Sequence, residues 1–110
     1  MIKFTTPSIP ITIDNIDLTG NDIYVSLEQG KHKLEKTGTD LIVTTDTHGQ
    51  ITDTIITLVL SQEESGAFDF NKSCTMQVNW ITPSGVRDAT EIATISVMRN
   101  LLDRVIHYGD

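Results

Sequence analysis

Apolar and polar residues alternate along most of this chain with the period of strands that bury one face. In "SIPITI", Ile9, Ile11 and Ile13 share one face, with Pro10 between them. Proline has no N–H to give to a ladder, so this opening segment reads as an edge strand. The turn formers of "DNIDLTGND" follow, and "DIYVSLEQG" then alternates Ile23, Val25 and Leu27 against Tyr24, Ser26 and Glu28. Gly30 closes that strand, and "KHKLEK" returns as a short, lysine-rich edge with Leu34 as its core residue. After the turn Thr37–Asp40, "LIVTT" predicts a further strand, ended by "DTHGQ".

From Ile51, "ITDTIITLVL" places Thr52, Thr54, Ile56, Leu58 and Leu60 on one face, and its β-branched content favours a long central strand over a helix. "SQEESGAF" breaks the rhythm. Ser61 and Glu64 have the spacing of a capping box and Gly66 is a stop, which predicts about one helical turn. In "CTMQVNWIT", Met76, Val78 and Trp80 share a face with Cys74. The "PSG" turn leads to "VRDATEIATISV", with Ala93, Ile95 and Val97 facing together, so these two segments predict a hairpin. In "MRNLLDRVIHYGD", Leu101, Leu102, Val105 and Ile106 fall at helical spacing and predict a short terminal helix within 98–110. About seven short strands at turn intervals of roughly 8 to 12 residues read as one antiparallel β-sandwich of immunoglobulin-like type over residues 1–110.

Charge narrows the partners. Eight basic residues against fifteen acidic ones give a net charge of -7, whose field repels phosphate backbones and anionic lipid. Neither nucleic acid nor membrane is an expected partner. No window approaches a spanning length of about 18 apolar residues, and "MIKFTTPSIP" lacks the apolar core of a signal peptide. The single cysteine, Cys74, has no internal disulfide partner and fits a reducing compartment.

Candidate chemistries are few. Asp14, Asp17, Asn21 and Asp22 surround a turn, but Ile16 and Leu18 spoil the ligand order of a calcium loop; a polar turn is the plainer reading, and a weak calcium site at Asp14, Asp17 and Asp22 stays open. His32, His48 and His107 lie in separate segments without metal-ligand spacing. Cys74 opens a strand, where a buried structural thiol is expected rather than an activated nucleophile. Glu63 and Glu64 are adjacent and point apart, and "NKS" at Asn71 is a common three-residue pattern. Arg87 reads as an exposed hairpin charge able to meet Asp88, Glu91 or an aromatic ring, and Trp80 as a core plug. No catalytic, cofactor-binding or metal-binding residue is therefore assigned.

Taken in order, the "LSQEESGAF" turn, the "MQVNW" strand, the glycine turn and the "ATISV" strand resemble small structural proteins of tailed phages and prophages of Gram-positive bacteria. The likeness is greatest to the immunoglobulin-like N-terminal module of upper baseplate proteins, and "ITIDNIDLTGNDIYVSL" is similar as well. The resemblance matches Trp80 to the family's aromatic on the penultimate strand and Ser61–Gly66 to its short capped turn. It implies a non-enzymatic virion, tail or baseplate protein, made in the bacterial cytoplasm and then built into a particle, whose partners are itself or other virion proteins. The residues expected to carry docking are Ile9, Ile11 and Ile13 on the edge strand and Leu101, Leu102, Val105 and Ile106 in the tail. The rival reading is a ligand-binding sandwich, for example one for carbohydrate, for which Tyr24 and Tyr108 are the credible exposed rings; an enzyme ranks third.

Overall fold

In the computed structural model, which describes residues 1–109, the alternating segments become strands whose inward residues meet in one core. They are β1 (Ser8–Ile13), β2 (Asp22–Gln29), β3 (His32–Thr37), β4 (Leu41–His48), β5 (Ile51–Val59), β6 (Ser73–Ile81), β7 (Arg87–Ala89) and β8 (Ala93–Ser96). The helical turn α1 (Gln62–Gly66) joins β5 to β6. The pairings among these eight strands are antiparallel. The smaller sheet has the order β1-β5-β4; in the larger one, β3-β2-β6, both β7 and β8 lie along the far side of β6.

The two short strands are one strand interrupted by a bulge. β7 pairs Asn79 with Ala89 and β8 pairs Met76 with Ala93, so the register slips by one residue and both Glu91 and Ile92 stand opposite Gln77. Thr90 bridges the break, donating its N–H to the Val78 carbonyl at 2.9 Å and accepting the Val78 N–H on its hydroxyl at 3.1 Å. Counted this way the sandwich has seven strands, as its sequence predicts. Residues 1–3 run parallel beside 96–98, with Met98 N–H donating to the Met1 carbonyl at 2.7 Å and Lys3 N–H to Met98 at 3.0 Å. This is the B-E-D and C′-C-F-G order of an immunoglobulin-like sandwich.

The pleat buries the residues that alternation selects. Val25, Leu27, Ile56, Leu58, Leu60, Val78 and Cys74 are all at most 1% exposed. Trp80 is buried beside them, and Phe68, just after α1, is fully enclosed with His32 edge-on to its ring at 4.7 Å. The capping box forms as expected: Ser61 accepts the Glu64 N–H, and the Glu64 carboxylate accepts the Ser61 N–H. Gly66 is the last residue of α1, but it does not stop the helix through a left-handed turn. Its φ is not positive; a Cβ there would overlap the ring of Phe4.

The expected terminal helix does not form. Residues 98–109 make bends and turns, and Leu101 is 89% exposed. A helix this short is marginal without a surface on which to bury its apolar stripe, and polar contacts hold the segment in another shape. The Asn100 carboxamide donates to the Lys3 carbonyl and accepts from Leu102 N–H, while the Gln62 carboxamide takes both backbone groups of Ile106, at 2.7 and 2.8 Å. β4 also departs from its expected extent: it continues through His48, and only Leu41 is buried.

Candidate functional site

The first expected docking element, β1, turns its side chains to the core. Ile13 is buried, and Ile9 and Ile11 are half-buried against the core cluster. What remains is backbone. Leu60 N–H donates to the Pro7 carbonyl, which sets the alternation: odd residues of β1 bond β5, whereas Ser8, Pro10 and Thr12 face the open side. Pro10 thus removes the middle donor of that edge, and β1 is blunted.

The tail behaves differently. Leu101, Leu102, Ile106 and Tyr108 are exposed and Val105 is half-buried, so the apolar residues expected there are displayed along a segment anchored by its polar groups. The anchors are Asn100 and the Gln62 clamp on Ile106.

The outer surface of the larger sheet forms an open groove of about 520 Å³. Tyr24, Ser26 and Glu28 from β2 lie beside Gln77, Asn79 and Ile81 from β6; Lys33 and Glu35 wall one side, and Arg87 and the bulge residue Ile92 the other. Arg87 donates to the Asn79 side-chain oxygen at 3.1 Å, not to Asp88 or Glu91. Opposite charges nearly balance in the groove, and Tyr24 is its one ring with an outward strand position, which is little for sugar stacking.

A charged corner gathers at the far end of the smaller sheet. His48 Nε2 lies 3.0 Å from Asp53, whose other carboxylate oxygen accepts the Asn15 N–H at 2.9 Å. The hydrogen bond that His48 donates to Asp53, with the charges of Asp53, Asp46 and Asp14 around it, raises the His48 pKa above its ordinary 6.5; the Asn15 N–H and then His48 hold Asp53 below the usual carboxylate range. A raised histidine pKa stabilises the fold fully below the unfolded value and ceases to do so as pH rises through the folded one. The ring of His48 followed by NMR is therefore expected to titrate above 6.5 and to fall back towards it in Asp53→Asn; a midpoint at or below 6.5 in the parent chain would remove this pair from the account.

Of the candidate calcium residues, Asp17 turns to Thr19, whose hydroxyl and then N–H lower its pKa, and Asp22 opens β2. Among the described residues no three His, Cys, Asp or Glu side chains are grouped to hold a metal ion. Burial pushes the Cys74 thiol up, the direction opposite to that of an activated nucleophile. One pairing had no sequence signal: Lys36 reaches from β3 to Glu64 of α1 at 2.8 Å, joining residues 28 apart in the chain.

Fold and surfaces together define a small immunoglobulin-like sandwich that presents an apolar tail and a polar groove. No protein family and no curated protein sequence matches the chain. The solved structure of murine CRIg is similar over 87% of this chain and 95% of its own, at 14% identity and a TM-score of 0.32.

Proposed function

We propose that this protein is a non-enzymatic docking module whose working surface is made for other protein chains. The observation that carries this reading is the tail: four exposed apolar side chains, Leu101, Leu102, Ile106 and Tyr108, on a segment fixed in place by Asn100 and Gln62. Ordered apolar groups left in water favour a partner that covers them. The resemblance to tailed-phage structural proteins supplies the setting, a phage or prophage particle whose neighbouring subunits are that partner.

Ending the chain after Asn100 tests the reading, because Val97 and the Asn100 anchor stay in place. The shortened chain is expected to melt within a few degrees of the parent and, in sedimentation runs on both chains, to lack the higher assembly expected of the parent. Equal assembly of the two chains would remove the tail from docking; loss of folding would make the tail part of the core.

A further inference from the structure

We propose that β4 is a self-pairing edge: Leu41–His48 of two copies lie antiparallel about a twofold axis at Thr44, fusing the two smaller sheets into one of six strands. The proposal rests on the docking reading and names a second copy as the occupant of this edge.

The backbone alternation fixes which groups are free. Even residues of β5 bond β1, so odd residues of β5 bond Ile42, Thr44, Asp46 and His48 of β4. The N–H and C=O groups of Val43, Thr45 and Thr47 therefore point to the open side, as does the Leu41 carbonyl; the Leu41 N–H is spent on Gly38. Among the described residues, β4 pairs with β5 alone.

The other outer strands carry the devices that prevent edge pairing. β1 has Pro10, β3 has Lys33 and Lys36, and the β7–β8 strand has a bulge with residues 1–3 laid along its end. β4 has eight residues, no proline, no lysine and no bulge, and it leaves Ile42 55% and Val43 40% exposed. Its charged groups, Asp46 and His48, stand towards one end and leave the apolar half from Leu41 to Thr45 open to pairing.

Charge selects the cover and its register. A twofold pairing must set odd residues against odd ones, and centres at Val43 or Asp46 would oppose Asp46 to Asp40 or to itself. The centre at Thr44 sets Val43 against Thr45 and Ile42 against Asp46, and brings His48 of each copy, already 3.0 Å from its own Asp53, to the end of the other copy's strand, where Asp40 sits in the turn before β4. A centre at Thr45 avoids like charges too but sets the polar ring of His48 against Ile42 and away from Asp40. The inner face gains as well: beside β4 the two sheets leave a gap of about 530 Å³ lined by Leu18, Ile23, Val43 and Thr45, which Val43 and Thr45 of the added strand would cover.

Cross-linking reads this register. Thr44 in a non-hydrogen-bonded pair faces its own copy with Cα atoms about 4.5 Å apart, inside the reach of a disulfide, whereas Ile42 lies about 13 Å along the strand from its counterpart. Mild oxidation of Thr44→Cys is expected to give a covalent dimer, while Ile42→Cys stays uncoupled; the native Cys74 is fully buried and does not compete. Thr45→Pro, which deletes an outward N–H, and Val43→Lys, which places a charge on the inner face, are each expected to lose the dimer and stay folded. Either variant that folds decides the matter: retention of the parental mass overturns the proposal, as does equal or absent coupling at Thr44 and Ile42. If coupling fails while tail-dependent assembly persists, only the β4 pairing is wrong; if both fail, the docking reading goes with it.

Discussion

Trp80→Ala is expected to cost about 3 to 5 kcal/mol, a large part of the 5 to 15 kcal/mol that holds a domain together. Trp80 is 7% exposed and sits in the ladder between Ile23 of β2 and Asp88 of β7, so its indole fills the core near one end of the larger sheet. Alanine would leave a cavity that rigid neighbouring strands refill poorly. The parent chain should also show blue-shifted tryptophan emission, since this is its one tryptophan. Denaturant unfolding followed by circular dichroism measures the loss. A cost under about 1 kcal/mol, with red-shifted emission in the parent, would move Trp80 to the surface.

The second large effect comes from a hydroxyl. Thr54 is fully buried on β5; its Oγ1 accepts the Leu18 N–H at 3.0 Å and donates to the Ile16 carbonyl at 2.7 Å. These two bonds pin the turn between β1 and β2 onto the smaller sheet, and Leu18, itself 1% exposed, is seated by them. Thr54→Val keeps the volume and removes both. The Leu18 N–H then has no water to replace its partner, and the loss is expected to be about 2 to 3 kcal/mol, against about 1 kcal/mol for Thr54→Ser, which keeps the hydroxyl and drops a methyl. Equal unfolding midpoints for the valine and serine variants would show that the hydroxyl is not the pin.

Much of the sandwich is legible in the residues, because a period of two has a direct consequence in a pleated sheet. Thr54, Ile56, Leu58 and Leu60 face inward as their spacing requires, and so do Cys74, Val78 and Trp80. Ser61 and Glu64 announce their helical turn by local chemistry alone. Tertiary partners are less visible. Leu101, Leu102, Val105 and Ile106 have helical spacing, yet a helix also needs a surface to lie on, and Asn100 and Gln62 hold the backbone elsewhere. Ile9, Ile11 and Ile13 mark a strand correctly, but which way an edge strand faces depends on what packs beneath it.

The candidate surfaces follow the same division. The tail's apolar residues can be read from the chain, whereas the groove around Tyr24 requires three strands to be set side by side. The β4 edge was hidden because "LIVTT" looks like any buried strand until its neighbours are known. Lys36 and Glu64 likewise meet only through the fold.

Light scattering on the intact chain, across a range of concentrations, tests the central claim of docking most directly. The expected result is a mass that rises with concentration from the single-chain 12.2 kDa through about twice that value to larger assemblies. A mass of 12.2 kDa at every concentration would contradict self-association through either β4 or the tail.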